Sequence, residues 1–506
     1  MIKKNPAVLA YHLHHSHPAN ASYSTDGFYL QLANQLLNDF IRSHIDVGEA
    51  TGNIFHFAAA SLACYLEDIV ADSGQWRMFS ALCQQMFGSP VPMYHDAEEE
   101  YYPDEPSMMA VRYLIYNAAT EMDDIWWKPE TPELDQLARI AFQRIDAVFE
   151  KAPVNDDLAA DIDAMLDDAG HDFITMRPAL IWLFSNCYIT LSATSEKLLL
   201  KVAADARQLK HVMPEESKQR FFTIMHCIFA YKIGPLALYA KDYLAALMHT
   251  RGKDVLATDV EAIKVLPNHA YRYTVAADGL SLSLKCVNGF KLQLAREEIT
   301  VSDKQLTAHD GCRASFVSYQ GAWHLNGAMT VLKDTSDRWE ELCKKDPDYL
   351  PEGHITANSN WYLERTGGQQ LFFFASPDIV EKYLKAKFLF TDDGCSFLRK
   401  FPISGKPITM FIDKSEPKDC LQFSHEFTSC IAAPDNPFYN PDTARKEAVE
   451  MLWNDGCLST NAMLYMLEQG YLPELLTDDL ICQGSTQGDR AADAHFLLRY
   501  MRRENY

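Results

Sequence analysis

Three acidic residues, Glu67, Asp68 and Asp72, sit in and just beyond an otherwise apolar stretch running from Ile54 to Val70. On a helix Asp68 and Asp72 are one turn apart and repel by a few tenths of a kcal/mol, so something must compensate. A divalent ion, Mg²⁺ or Mn²⁺, could do so, with His56 or the cluster Glu121-Met122-Asp123-Asp124 completing an oxygen-rich set. Those are the donors of a metal-dependent, pyrophosphatase-like hydrolase acting through Glu67, Asp68, Asp72 and Asp124. Neither an E-x-x-E with a downstream E-x-x-D nor a D-D-x-x-D motif is present. Arg77 is the simpler partner, so a structural ion pair without a cofactor is the favoured reading and the hydrolase the alternative.

Other reactive types are patterned less tightly. His12, His14, His15 and His17 precede the first strong helical pattern, and nothing in the sequence fixes their geometry as ligands. Cys420, His425 and Cys430 have C-x4-H-x4-C spacing, but the leading cysteine of a zinc knuckle is replaced by Pro417. Cys420 and His425 also have opposite parity on a strand, so they diverge. Asp-Gly-Cys recurs at Asp310, Asp393 and Asp455, in no case with a histidine adjacent to the cysteine to stabilise a thiolate, which reads as turn chemistry. G-x-S-x-G, GxG and GxxxxGK[ST] are all absent, which removes the nucleophile elbow and the usual phosphate loops.

The elements that must position these residues change type along the chain. Phe28, Leu32, Leu36, Leu37, Phe40 and Ile41 recur at helical spacing, as do Phe55, Ala58, Ala59, Leu62, Leu66 and Ile69. Thr131-Pro132 and Asn155 read as helix starts, with a stop near Gly170. After the helices the period becomes two. Asp278-Gly279 joins two alternating runs, and a two-residue turn pairs Val275 with Leu282 and Tyr273 with Leu284. For the next turn only a three-residue loop, Val287-Asn288-Gly289, keeps Leu284 opposite Leu292 on the apolar face. Strands near Ala314–Tyr319 and Trp323–Leu332 complete five.

The fold class expected is multidomain α+β. An arm (1–24) precedes an all-α domain (25–262), and a small five-stranded antiparallel SH3- or OB-like barrel (265–335) follows. An α+β region (336–432), with strands at Asn360–Leu363, Gln370–Phe374, Pro407–Asp413 and Leu421–Phe427, leads to a C-terminal helical segment (436–506).

The 506 residues carry 69 Asp plus Glu against 46 Lys plus Arg, a net charge of -23. Residues 96–168 hold 20 acids and 5 bases, a net of -15, so this stretch repels phosphate and suits a basic protein partner. Residues 382–407 hold 6 bases and 2 acids, interleaved with Phe388, Phe390, Phe397 and Phe401, the composition of a single-strand nucleic-acid platform. Core packing of those rings is the preferred reading, so nucleic acid is not the expected partner. No signal-peptide pattern or membrane-length apolar run is evident, the 12 cysteines contain no C-x-x-C, and a cytoplasmic protein with buried free thiols is expected.

Four strings stand out together: Tyr65-Leu66-Glu67-Asp68-Ile69-Val70, Trp76-Arg77, Tyr101-Tyr102-Pro103-Asp104-Glu105 and Trp323-His324-Leu325-Asn326-Gly327. They resemble a family of uncharacterised gut-bacterial (Bacteroidetes) proteins of unknown function, from about Tyr23 through the C-terminal helices. That resemblance implies a bacterial cytosolic protein and brings no site residues. The functional expectation is thus a non-enzymatic interaction or adaptor protein. It would bind through the acidic helical surface or through Tyr319, Trp323 and His324 on the barrel.

Overall fold

The computed structural model describes residues 7–95, 100–122, 127–192, 197–198, 200, 204, 216–287, 289–299, 301–333, 335–345, 359–400, 406–414, 420–454, 458–472 and 487–503. The chain divides into two compact units, residues 1–351 and 352–506, where four segments after the arm were expected. Asp124, Cys457 and Phe401 lie outside the described residues.

Helices open the first unit: α1 (Ala10–Ser16), α2 (Asp26–Arg42), α3 (Thr51–Ala71), α4 (Gln75–Phe87), α5 (Met108–Met122), α6 (Pro132–Phe149), α7 (Asp156–Ala169) and α8 (Phe173–Ser185). Their ends obey the local signals. The Thr131 and Asn155 side chains accept the N–H of Leu134 and of Leu158, capping α6 and α7. Helix α8 starts at Phe173, where Asp172 closes a capping box with Thr175.

The N-terminal arm, where the sequence shows no fixed geometry, is helical and packed against the unit. Leu13, His17 and Val8 are buried, α1 is regular, and the Trp182 Nε1–H donates to the Ser16 carbonyl at 2.9 Å. Burying Leu13 and pairing His17 stabilises a segment whose histidine content alone reads as polar. Helix α3 also departs from expectation: it is long and apolar enough to span a membrane, with an 18-residue window of mean hydropathy 1.4. Of that window 78% is buried inside the unit, as for a central core helix.

Three more helices (Glu216–Ala230, Ala240–Thr250, Asp254–Glu261) lead into β1 (Lys264–Val275), β2 (Ser281–Cys286), β3 (Lys291–Ala295), β4 (Gly311–Tyr319) and β5 (Ala322–Leu332). Both hairpin registers follow the alternation: Val275 faces Leu282, Tyr273 faces Leu284, and Leu284 faces Leu292. Gly279 has φ +71°, the left-handed conformation the Asp-Gly turn requires. The antiparallel order is β3-β2-β1-β4-β5, and among the described residues no ladder joins β3 to β5, so the five expected strands form a curled sheet, a half-barrel.

The sheet lies within the same compact unit as the helices. Tyr319 donates its hydroxyl to the Ala169 carbonyl (3.1 Å), Arg177 donates to the Leu325 carbonyl (2.8 Å), and Asn326 donates to the Met225 carbonyl (3.2 Å). These bonds tie its last two strands to the helices.

In the second unit β6 (Leu371–Phe374), β7 (Ile408–Ile412) and β8 (Leu421–Ser424) form an antiparallel sheet in that order. The helix Pro377–Phe388 packs Val380, Leu384 and Phe388 into its core. The strand expected at Asn360–Leu363 is instead part of the helix Ser359–Thr366. Four residues are too few to establish a period, and Trp361 stacks under Arg365 one helical turn on (3.5 Å), a contact only a helix permits. The helices Pro441–Trp453, Thr460–Glu468 and Gln487–Met501 complete this unit.

Candidate functional site

The three α3 acids diverge. Asp68 is 2% exposed and is an acceptor hub: Ser73 Oγ and the Gln75 N–H donate to Oδ1, the Trp76 N–H and Tyr188 hydroxyl to Oδ2. It caps the start of α4 from the preceding helix. Burial pushes its carboxyl up from the usual range, against the pull of those four donors. Asp72 is the left-handed C-cap of α3, with φ 52°, and meets Arg77 at 2.6 Å on the surface. The helical spacing of Asp68 and Asp72 is lost at that residue, and the Arg77 pairing is the one the sequence favours. Glu67 turns elsewhere. Among the described residues Glu67, Asp68 and Asp72 thus turn to separate partners rather than to one shared pocket; Asp124, the fourth member of the hydrolase set, lies outside the described residues.

Glu67 enters a second polar centre. The loop after α1 brings His17 to it, with Nε2 and Oε2 3.0 Å apart, both side chains nearly fully buried. His17 Nδ1 faces the Ala21 carbonyl at 2.9 Å, and Asn155 Nδ2 donates to Glu67 Oε1 at 2.7 Å. Asp26, the first residue of α2, is 8% exposed; its Oδ2 accepts from Ser22 Oγ and the Tyr23 N–H, and faces His14 Nε2, each at 2.8 Å. Asp26 Oδ1 is buried with no hydrogen-bond partner. His17, Asp26 and Glu67 each offer one ligand atom within 4.8 Å of the others. Burial pushes the His17 imidazole down, but the Glu67 carboxylate outweighs it and the net direction is up. Beside this centre a cavity of about 230 Å³ is lined by His12, His15, Ser16, His56, Cys64 and Tyr188.

Spacing could not reveal this constellation. His17 belongs to an apparently irregular tract, Asp26 reads as an ordinary helix start, and their separation from Glu67 is 50 and 41 positions.

The aromatic set proposed on the sheet is mostly interior. Tyr319 is 2% exposed; Trp323 is half-buried with its ring 5.6 Å from that of Phe290; His324 Nδ1 lies 2.9 Å from Glu298 Oε1. They join core and connection rather than forming a free face.

The opposite, solvent-facing side carries a row set by register: Arg272 faces Lys285, and Lys285 faces Lys291. Thr274, Ser283 and Gln293 form the next row. Arg272 stacks over Trp339 at 4.4 Å and donates to the Ser336 carbonyl at 2.8 Å. A groove of about 730 Å³ runs over these residues. Asp310 at its margin accepts the N–H groups of Thr335 and Ser336 at 2.7 and 2.6 Å. Gly311 is required beside it, since a Cβ would come 2.2 Å from Thr335 Oγ1. The first Asp-Gly-Cys is thus a strand start rather than a tight turn: Gly311 opens β4 and Cys312 is in the core.

The remaining candidates are structural in the described residues. Phe388 is buried, and Phe390 and Phe397 pack partly buried against the same core, so those rings of the 382–407 patch are not an exposed stacking platform. Cys420 and Cys430 are buried, and the Cys430 thiol donates to the Phe427 carbonyl at 3.0 Å. The nine described cysteines are all buried and outside any disulfide. In the acidic helices Asp135, Asp163 and Asp167 already pair with Arg112, Arg251 and Lys253.

Three of the four conspicuous strings converge on the Asp68 hub: the Trp76 Nε1–H donates to the Tyr101 hydroxyl at 2.9 Å, and the Tyr65 hydroxyl to the Glu105 carbonyl at 3.3 Å. The model of a protein family of unknown function, DUF3843, matches residues 11–271 and 331–503. The chain belongs to the DUF3843 family. No curated protein and no solved structure matches it. The DUF3843 match spans α1 through α8 and resumes within β5. The hub and the His17 centre therefore fall inside it, while Tyr319, Trp323, His324, Lys285 and Lys291 fall in the unmatched 272–330.

Proposed function

We propose that the protein is a binding module that takes an acidic polypeptide segment on the outer face of its curled sheet. The observation that supports this is the cross-strand row Arg272–Lys285–Lys291. Like charges directly opposite one another destabilise a sheet. Three in a row, over a groove, in a chain of net charge -23, are best explained by a ligand that neutralises them. Arg313, exposed opposite Ala270 on β4, extends the same face. Trp339 and Ser336 hold Arg272 in place, which reduces the ordering cost of a bound carboxylate. Thr274, Ser283 and Gln293 add neutral donors beside the cations. A carboxylate-rich peptide matches a row of this length, whereas a long phosphate polymer would meet the acidic remainder of the chain.

The test is fluorescence anisotropy of a labelled deca-glutamate peptide against the full chain. Saturable binding that weakens with salt, and weakens at least about tenfold in Lys285→Glu/Lys291→Glu, is expected. No binding, binding indifferent to the double reversal, or tighter binding of a ten-nucleotide oligothymidylate would each overturn the reading.

A further inference from the structure

We propose that His17, Asp26 and Glu67 form a site for one divalent transition-metal ion, of which zinc is the best match, that fastens the N-terminal segment to α3. The argument rests on which atoms are already used. Each of the three side chains has a partner on one of its two polar atoms: the Ala21 carbonyl on His17 Nδ1, Asn155 on Glu67 Oε1, and Ser22, Tyr23 and His14 on Asp26 Oδ2. That is the outer-shell pattern which orients metal ligands and selects the imidazole tautomer. With Nδ1–H donated to a carbonyl, the neutral ring presents a lone pair at Nε2.

One ligand atom of each residue lies within 4.8 Å of the others. His17 Nε2 and Glu67 Oε2 are both acceptors in that state, 3.0 Å apart, and need either a proton or a cation between them. Asp26 Oδ1 is the independent sign of an ion, being a carboxylate oxygen buried without any donor on a residue 8% exposed. An unpaired buried acceptor is costly, and a cation removes that cost for all three groups at once.

Imidazole with two carboxylates suits zinc or a neighbouring first-row ion rather than magnesium, which prefers an all-oxygen, water-rich shell. The closed surroundings suit a structural ion. The competing arrangement is an imidazolium on His17 against Glu67, with His14 against Asp26 and no metal.

The experiment uses the full chain, stripped with chelator, reloaded with zinc chloride and desalted. About one zinc retained per chain is expected, with a higher thermal midpoint that chelator reverses. Asp26→Asn, which keeps the side-chain shape, is expected to weaken zinc binding at least about tenfold. The double variant His12→Gln/His15→Gln removes neighbouring imidazoles outside the site and is expected to keep the zinc. An ion-free wild type overturns the proposal whatever the variants do. So does equal zinc retention in Asp26→Asn, or loss of the ion only when His12 and His15 are replaced, which would assign it to the histidine tract.

Discussion

Glu67 and Asp68 are neighbours on one buried helix and meet opposite environments. Asp68 faces donors only: two backbone N–H groups and two hydroxyls. Glu67 faces an imidazole, and Asp26 beside it keeps an oxygen with no donor at all. A carboxylate surrounded by donors is complete as a structural element, because its charge is spread into four hydrogen bonds and nothing remains to bind. A carboxylate oxygen buried without a donor, as Asp26 Oδ1 is, remains incomplete, and that incompleteness is what marks a ligand site. The number of acids in a cluster says less about function than the count of donors they meet.

The largest expected effect breaks the Asp68 side of that contrast. Asp68→Ala leaves the Gln75 and Trp76 N–H groups and the Tyr188 hydroxyl buried without an acceptor, and loosens the α3–α4 corner. A loss of about 3–5 kcal/mol in urea unfolding is expected, with or without chelator. A loss below about 1 kcal/mol would show that the hub does not hold the corner.

Glu67→Gln sharpens the other side. In chelator it leaves the Asn155 bond possible and removes only the charge opposite His17, so a loss of about 1–3 kcal/mol is expected. Unlike Asp68→Ala, its deficit should grow when the wild-type reference is loaded with zinc. Equal deficits in both conditions would make the two centres alike.

The smallest effect comes from a surface counterpart of Asp68. Asp310 also accepts two backbone N–H groups, yet it lies near solvent. What burial it has pushes the carboxyl up, but the Ser336 and Thr335 donors outweigh this and bring it to about 2, below its ordinary 3.8. Folding therefore favours the ionised form. The stabilisation is complete above about pH 4 and is lost as pH falls toward 2. Solvent screening holds it below about 1 kcal/mol, so Asp310→Asn should flatten the acid limb of a stability–pH curve by no more than that. An unchanged acid limb would remove Asp310 from the list of working caps.

Legibility from sequence followed the range of the interaction. The stripe on α2, the caps at Thr131 and Asn155, and both hairpin registers depend on residues a few positions apart, and each was readable. The Arg77–Asp72 pair, five residues apart, was readable for the same reason. The Asn360–Leu363 segment failed because four residues cannot distinguish a period of two from one of 3.6. Tyr319 failed as a surface residue because its partner, the Ala169 carbonyl, is 150 positions away.

By itself the sequence determined the long helices and both hairpins and which side of their strands is apolar, and with them the cation row, since strand periodicity is local and fixes faces once the turns are known. Only the tertiary structure decided how far the sheet curls, what covers it, and which of two adjacent acids meets amide and hydroxyl donors and which meets an imidazole. Those outcomes depend on contacts between distant segments, where a single rotation about α3 sends Glu67 to His17 and Asp68 to Trp76.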